Sequence, residues 1–271
     1  MSSFKLALIQ MDCEFLNVDA NLEKAEKKVR EAKANGADIV CLPEAFNTGY
    51  YCLNYPAMCE LAEPLDGKSI TTMRKLAREL DIYIVAPILF LVRPGIIENT
   101  AVLIDGAGEV LGTYSKTHLV GDERFYIERG TRYPVFHTKF GPVGILICYD
   151  ICFPETATIL ANRGAGIIIC PAAWRGGSYY KEWLDIDAAA RALDNTLFVA
   201  LLNRVGALPN SPFCGGTQVV GPTGKVLEQC SSDEEEILYQ VIDLNEVIKT
   251  REDNTVLFDR HPEDYWPLTN R

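Results

Sequence analysis

RGAGIIICPAAW, residues 163–174, repeats the pattern of an earlier stretch, NGADIVCLPEA, residues 35–45. Each stretch has the features of a helix end, a Gly-Ala step, a buried strand that contains cysteine, and an exit that begins with proline. Two related halves, each a sheet with helices outside, would explain the match. Any junction between a helix and a buried strand also favours glycine followed by β-branched residues, so this pattern alone leaves both explanations open.

Strand and helix patterns alternate along the rest of the chain. The clearest are two strands (4–11 and 236–242), two hairpins (100–116 and 217–230) and two helices (one from Pro154, one over Trp183–Asn195). No linker rich in serine, glycine or proline separates the halves. We therefore predict an α/β fold in one domain, residues 1–271. Its two mixed sheets pack face to face with helices on the outer faces, as a four-layer αββα sandwich.

The composition limits the class of partner. The chain has 271 residues, 48% of them hydrophobic, and its 26 Lys and Arg against 37 Asp and Glu give a formal charge of −11. This charge repels nucleic acids and anionic membrane surfaces. The N-terminal apolar run ends at Met11, which is short for a secretion signal, and no later run approaches the about 20 apolar residues of a membrane span. We expect a cytoplasmic protein without nucleic-acid or membrane partners.

The cysteine and histidine content argues against a metal site. Nine cysteines form no CxxC pair, and the odd count suits thiols in a reducing compartment better than a disulfide framework. The three histidines, His118, His137 and His261, lack the spacing of metal ligands. We therefore expect neither a metal nor another cofactor.

Three polar residues follow apolar strands, at positions where chemistry is often placed. Cys148 lies in GILICYDICFPE (144–155), Glu44 in CLPEAFNTGY (41–50) and Lys116 in GTYSKTHLV (112–120). A cysteine in such a place is commonly a small buried hydrophobe, and a lysine there is commonly a surface residue. Together, however, a carboxylate, an ammonium group and a thiol supply the base, positive charge and nucleophile that thiol-based acyl transfer requires.

At these residues the sequence resembles the nitrilase superfamily of carbon–nitrogen hydrolases. LPEAFNTGY, YSKTHL and GILICYDICFPE match the family's Glu, Lys and Cys motifs in the family's order, and the similarity covers nearly the whole chain. The resemblance implies that Glu44 is the general base, that Lys116 stabilises the oxyanion and that Cys148 is the nucleophile that becomes an acyl-thioester. Cys152 is then a structural thiol.

Many family members also carry a second glutamate between the Lys and Cys motifs, seven residues before a glycine. In GDERFYIERG (121–130) this position is Glu123, which the resemblance places against Lys116 or the substrate. Glu128 competes for the assignment, but its neighbours suggest a solvated turn. Arg129 stands where the family commonly has proline. Asp150 flanks this cysteine motif's nucleophile, and we expect it to anchor the turn after Cys148 through hydrogen bonds to backbone N–H groups.

Two aromatic-rich stretches, 47–55 and 171–183, are candidates for the walls of a substrate pocket. We expect Tyr50, Tyr149 and Trp174 to contact substrate, Tyr149 through its backbone N–H. Arg175 either binds a substrate carboxylate or is an ordinary surface arginine. The substrate implied is a small linear amide or an N-carbamoyl compound, and a nitrile is the alternative because it can use the same three residues.

Two alternative hypotheses are also compatible with the sequence. A papain-like pair would use Cys148 with His118 or His137 as the base, and an interaction scaffold would use the same fold without catalysis. Relatives assemble through helices beside the active site, so the resemblance also implies a homodimer or a larger homo-oligomer. The helix over Trp183–Asn195 either forms that interface or covers its own sheet.

Overall fold

The computed structural model describes residues 3–49, 55–208, 211–231 and 234–268. Two six-stranded sheets dominate this part of the chain. The first sheet contains β1 Phe4–Gln10, β2 Ile39–Cys41, β3 Tyr83–Arg93, β4 Ile96–Ile104, β5 Val110–Ser115 and β14 Glu236–Ile242, in the order β14-β1-β2-β3-β4-β5. The second contains β6 Val135–Thr138, β7 Gly141–Ile145, β8 Ile167–Ala172, β9 Phe198–Asn203, β12 Gln218–Val220 and β13 Val226–Gln229, in the order β13-β12-β9-β8-β7-β6. In addition, β10 Ala207–Leu208 pairs with β11 Ser211–Pro212.

Seven α-helices connect or flank these strands in the described ranges. They are α1 Val18–Ala34, α2 Tyr55–Leu61, α3 Lys68–Leu80, α4 Glu123–Tyr126, α5 Pro154–Asn162, α6 Ser178–Asn195 and α7 Asn245–Asp253. Short 3-10 helices span Cys148–Cys152, Pro262–Asp264 and Trp266–Leu268. Of the helices predicted from sequence, α5 begins at the expected residue, whereas α6 begins five residues before Trp183. Within the described ranges no helix combines the length and apolarity needed to cross a bilayer.

The two sheets have the same strand plan, which confirms the internal repeat. In each sheet three parallel strands (β1-β2-β3 and β7-β8-β9) carry one antiparallel strand on one side and two on the other. The repeated stretches enter β2 and β8 through Gly36 and Gly164, which have φ of 82° and 91°. Glycine adopts this left-handed conformation without steric cost, so it ends α1 and α5 in the same way.

Four layers result from the two amphipathic helix pairs. The apolar stripes of α1 and α3 pack on the outer face of the first sheet, against residues such as Val40 and Ile84. The inner face of that sheet packs on the second sheet, whose outer face is covered by α5 and α6. This arrangement confirms the predicted αββα sandwich of two mixed sheets.

The topology brings several strand ends to one edge of the sandwich. The carboxyl end of β2 lies beside that of β3, and β4 runs back antiparallel, so Asn99 near its start pairs with Leu89 near the end of β3. Since β5 is antiparallel to β4, its last residue, Ser115, returns to the same edge. In the second sheet β7, β8 and β9 are parallel and end together. Polar residues that follow these strands therefore meet.

Candidate active site

Glu44, Lys116 and Glu123 form one buried cluster at this edge. Glu44 follows β2, Lys116 follows β5, and Glu123 is the first residue of α4. The Nζ of Lys116 lies 2.8 Å from Oε1 of Glu44 and 3.0 Å from Oε1 of Glu123. None of the three side chains is more than 2% exposed, so two carboxylates share one ammonium group away from water. Glu128, the competing glutamate, is exposed.

The remaining oxygen of each carboxylate accepts a hydrogen bond from the backbone. The N–H of Ala173 donates to Oε2 of Glu44 at 2.8 Å, and the N–H of Val120 donates to Oε2 of Glu123 at 2.8 Å. Buried carboxylates need such partners because each unpaired oxygen would carry a desolvation cost. Ala173 belongs to the repeat of the second half, so Glu44 is held by both halves of the molecule.

Asn99 is the fourth side chain of the cluster, and the sequence analysis missed it. Its Nδ2 donates to Oε1 of Glu44 at 2.7 Å and lies 3.4 Å from Oε1 of Glu123. The available signal was a polar residue on the otherwise apolar inward face of the strand, where Ile97, Ala101 and Leu103 are buried. Asn99 itself is completely buried.

Cys148 begins the 3-10 helix at the end of the second sheet's first parallel strand. Its φ is +50°, a conformation that costs a non-glycine residue energy and is concentrated at functional sites. The thiol is 5% exposed, and the charged groups that act on it are Glu44, Lys116 and Glu123. The N–H of Ala173, which donates to Glu44, also lowers the pKa of this thiol. The structure thus brings the four predicted catalytic residues together.

Burial controls the protonation of the two central groups. It raises the pKa of the Cys148 thiol well above its ordinary value, and Glu44 raises it further while Lys116 lowers it. The pKa of Glu44 is also raised, first by burial and then by Glu123, against the opposing effect of Lys116. A neutral thiol beside a carboxylate with elevated basicity is suited to proton transfer between them at the moment of reaction.

Asp150 links the loop of Lys116 to the turn of Cys148. Its Oδ1 accepts from the backbone N–H groups of Thr117 and His118, at 3.2 and 2.8 Å. Its Oδ2 accepts from the N–H of Ile147 at 3.1 Å and from the hydroxyl of Tyr114 at 2.7 Å. The expected anchoring of the turn is therefore observed, and the same carboxylate also fixes the other sheet.

Replacing Asp150 by asparagine should destabilise the fold, because the amide nitrogen would face donors at one of the two oxygen positions. We expect Asp150→Asn to lower the free energy of unfolding by about 2–4 kcal/mol, measured by chemical denaturation. Asp19→Asn, which removes an exposed carboxylate paired with Lys68, is the matched control and should leave stability unchanged. Equal stability of the two variants would contradict the anchoring role.

The residues expected to contact substrate differ in their burial and surroundings. Trp174 is buried beside the cluster, and its backbone N–H donates to Oδ1 of Asn203 at 2.8 Å. The half-buried ring of Tyr149 packs edge-on against Phe153, with centroids 5.1 Å apart. Arg175 is exposed at the rim. Tyr50 lies outside the described residues.

Neither histidine of the papain-like alternative acts on Cys148. Nδ1 of His118 lies 3.0 Å from Oδ1 of Asp150, and its ring stacks on Phe153 with a centroid distance of 3.8 Å. His137 is exposed on the edge strand β6. The groups that influence the thiol are carboxylates and an ammonium group. This geometry favours Glu44 over an imidazole as the base.

Comparison with known proteins agrees with this geometry. The carbon-nitrogen hydrolase family matches residues 5–252. A protein described as a nitrilase from Pyrococcus abyssi is 34% identical over 267 residues, which cover 97% of this chain and 99% of the relative. A carbon-nitrogen hydrolase structure from Helicobacter pylori superimposes with a TM-score of 0.94 at 25% identity, covering 100% and 99% of the two chains.

A second solved structure bears on the cysteine. A mutant of the amidase from Nesterenkonia sp. AN1 shows the result of Michael addition of acrylamide at its active site cysteine. It superimposes with a TM-score of 0.86 at 27% identity over 98% of this chain and 99% of its own. The match of the family over most of the sequence and the match of the fold over all of it lead to the same conclusion. The chain belongs to the carbon–nitrogen hydrolase family of the nitrilase superfamily.

Proposed function

We propose that the protein hydrolyses a non-peptide carbon–nitrogen bond in a small linear amide or an N-carbamoyl compound, through a thioester on Cys148. The observation that carries this proposal is the buried group of Glu44, Lys116 and Glu123 that adjoins the strained Cys148. A base, a positive charge and a thiol in one water-poor site are the parts that acyl transfer needs. The amidase structure, in which the active site cysteine has added to acrylamide, supports a nucleophilic cysteine in this fold.

In the acylation step the sulfur of Cys148 attacks the carbonyl carbon while its proton moves to Glu44. The carbonyl oxygen becomes an oxyanion, which Lys116 and the backbone N–H of Tyr149 stabilise. Tyr149 lies in the first turn of a 3-10 helix, where backbone N–H groups have no partner within the helix. Glu44 then gives its proton to the leaving nitrogen, the carbon–nitrogen bond breaks, and ammonia or an amine departs from the thioester.

In the deacylation step Glu44 takes a proton from water, and the resulting nucleophile attacks the thioester carbon. The carbon–sulfur bond breaks, the thiol regains a proton from Glu44, and the acid is released. The raised pKa of Glu44 suits this alternation because the carboxylate must accept and return a proton twice in each cycle. Glu123 holds Lys116 in place throughout.

Ammonia release from a panel of linear amides, N-carbamoyl amino acids and amines, and simple nitriles tests the proposal. We expect turnover within the amide or ureido classes, and we expect Glu44→Gln to lower it by about 10²–10⁴-fold. A papain-like mechanism makes the opposite prediction: Glu44→Gln would keep acylation, and His118→Gln or His137→Gln would abolish it. Turnover of no compound together with an inert Cys148 towards iodoacetamide would overturn the enzyme function and favour a scaffold.

Nitrile hydrolysis is the second candidate, favoured by the relative from Pyrococcus abyssi. Attack of Cys148 on a nitrile carbon gives a thioimidate, which water converts to the same thioester with loss of ammonia. The nitrile arm of the panel separates the two candidates, since an amidase would leave nitriles unchanged.

Of the expected substrate contacts, Trp174 has the strongest support, because it is buried and directly follows Ala173, whose N–H donates to Glu44.

We also propose that the protein forms a homo-oligomer. Ile186 and Leu193 are 65% and 46% exposed on α6, on the stripe that points away from the second sheet. Phe258 and Leu268, near the end of the described chain, are 66% and 65% exposed. Apolar side chains concentrated on one helix and one terminal segment are typical of surfaces that a second copy covers.

A further inference from the structure

Asn99 occupies a position that the proposed reaction does not assign. Its amide nitrogen lies between the two carboxylates, 2.7 Å from Oε1 of Glu44 and 3.4 Å from Oε1 of Glu123. The same two oxygens contact Nζ of Lys116. A neutral donor and a charged donor therefore bridge the same pair of atoms.

The orientation of this amide is fixed by its neighbours. Turning it over would place Oδ1 against two carboxylate oxygens, which have no proton to offer when ionised. In the observed orientation Oδ1 is buried and has no hydrogen-bond partner among the described residues. The fold therefore keeps the donor group of this asparagine turned towards the two carboxylates.

The two oxygens of Glu44 consequently have different surroundings. Oε1 is held by Asn99 and Lys116. Oε2 has a single described donor, the N–H of Ala173, and the same N–H lowers the pKa of the Cys148 thiol. Because two side-chain donors share Oε1, Oε2 is the oxygen that keeps a lone pair for a proton.

We propose that Asn99 is a positioning residue that fixes Glu44 through Oε1, so that Oε2 faces the Cys148 sulfur as the proton acceptor. This inference rests on the proposed role of Glu44 as the base. Lys116 and Asn99 then have different roles, although they contact the same oxygens. Lys116 supplies positive charge for the oxyanion of the substrate. Asn99 holds Oε1 of Glu44 in place while Lys116 interacts with that oxyanion.

The pKa of Glu44 provides a readout that would not change if Asn99 had a purely structural role. The charged and titratable groups that act on Glu44 are Lys116, Glu123 and, across Ala173, Cys148. A hydrogen bond from Asn99 favours the ionised form and so opposes the rise in the pKa of Glu44 that burial causes. Loss of this donor should raise that pKa, and a higher pH will then be needed to ionise the base.

The test is the rate of iodoacetamide labelling of Cys148, followed by peptide mass spectrometry between pH 5 and 9. Asn99→Ala removes the donor and the volume, whereas Asn99→Asp keeps the volume and replaces the donor with a third acceptor. We expect labelling on the acid side of the profile to slow about 3- to 10-fold in Asn99→Ala, and further in Asn99→Asp. The variant Glu44→Gln gives the pH profile of labelling in a protein that lacks the base.

The relative labelling rates of Asn99→Ala and Asn99→Asp distinguish a positioning role from a packing role. A role in packing alone predicts that Asn99→Asp resembles the wild-type protein and that only Asn99→Ala differs, and this result would overturn the proposal. Asn195→Ala is the matched control, since Asn195 is also fully buried with an unpartnered Oδ1 but lies at the opposite end of the sheet. It should leave the labelling profile unchanged. If Asn99→Asp does not fold, Asn99→Ser, with one donor, should lie between wild type and Asn99→Ala.

Labelling requires no substrate, so this experiment and the substrate panel fail independently. A shifted profile without turnover of any compound would contradict the proposed hydrolysis and leave the positioning role intact. Turnover by the wild-type protein with identical profiles in all Asn99 variants would contradict the positioning role and leave the hydrolysis intact.

Discussion

Replacing Cys148 by alanine should lower ammonia release by a factor of about 10⁴ or more, because no other group in the cluster can form the acyl intermediate. The fold should survive the change, since alanine occupies less space than cysteine at a position that is already buried. The size of this decrease is measured as the rate of ammonia release from the substrate that the panel identifies. Circular dichroism of the same preparation confirms that the protein is folded.

Cys152→Ala is the control for this experiment. Cys152 ends the same 3-10 helix, but the pKa of its thiol is raised by burial and by Asp187 rather than by Glu44, so its loss should spare turnover. Cys148→Gly adds a second comparison, because glycine adopts a φ of +50° without strain. It should be more stable than Cys148→Ala by about 1 kcal/mol and equally inactive. Substantial ammonia release by either Cys148 variant would exclude the thioester mechanism.

Replacing Lys116 by methionine should both inactivate and destabilise the protein. Two buried carboxylates would then face each other without a cation, and removal of one partner from a buried ion pair costs about 3–5 kcal/mol. Methionine keeps most of the volume, so the loss measured by chemical denaturation would report the missing charge. Turnover should fall by about 10²-fold or more because the oxyanion loses its positive neighbour.

The loss of stability in Lys116→Met should depend on pH. The pKa of Glu44 is raised in the folded protein, and without Lys116 it should rise further. A carboxyl group with a raised folded-state pKa stabilises the fold at low pH, where it is protonated in both states. This contribution disappears as the pH rises above the unfolded value of about 4.3. The variant should therefore differ least from wild type near pH 4 and most at neutral pH.

A double variant separates the charge of Lys116 from its role in catalysis. Lys116→Met with Glu123→Gln leaves one buried carboxylate in place of two, so about 1–3 kcal/mol of stability should return. Activity should not return, because the oxyanion would still lack Lys116. If the double variant is no more stable than Lys116→Met, repulsion between the two carboxylates is not the cause of the loss.

The fold class and three residues of the cluster could be predicted because their signals are local in sequence. Glu44, Lys116 and Cys148 each follow a recognisable apolar strand, and strand ends of a layered α/β fold meet at one edge. Glu123 needed the family resemblance, since α4 has four residues and too little length for an apolar period. Its contact with Lys116 is the one that the resemblance implied.

Asn99 and the N–H of Ala173 could not be predicted, for different physical reasons. Asn99 reaches Glu44 from a neighbouring hairpin, and only the register between β3 and β4 places it at the edge. A backbone donor such as that of Ala173 carries no side-chain signature at all. The early start of α6, at Ser178, was missed because the predicted helix was defined only from Trp183 onwards, and the residues before it follow a Gly-Gly step.

The pairing of β1 with β14 has a consequence for how the chain folds during synthesis. Phe4 lies opposite Ile242 and Gln10 opposite Glu236, so β1 waits for a strand that is made much later. At about 5–20 residues per second, a ribosome would leave one edge of β1 open for roughly 10–50 s. An open apolar edge is a template for association with other chains. The second half can complete its own sheet before the first half can, and folding is therefore expected to end at the N-terminal sheet.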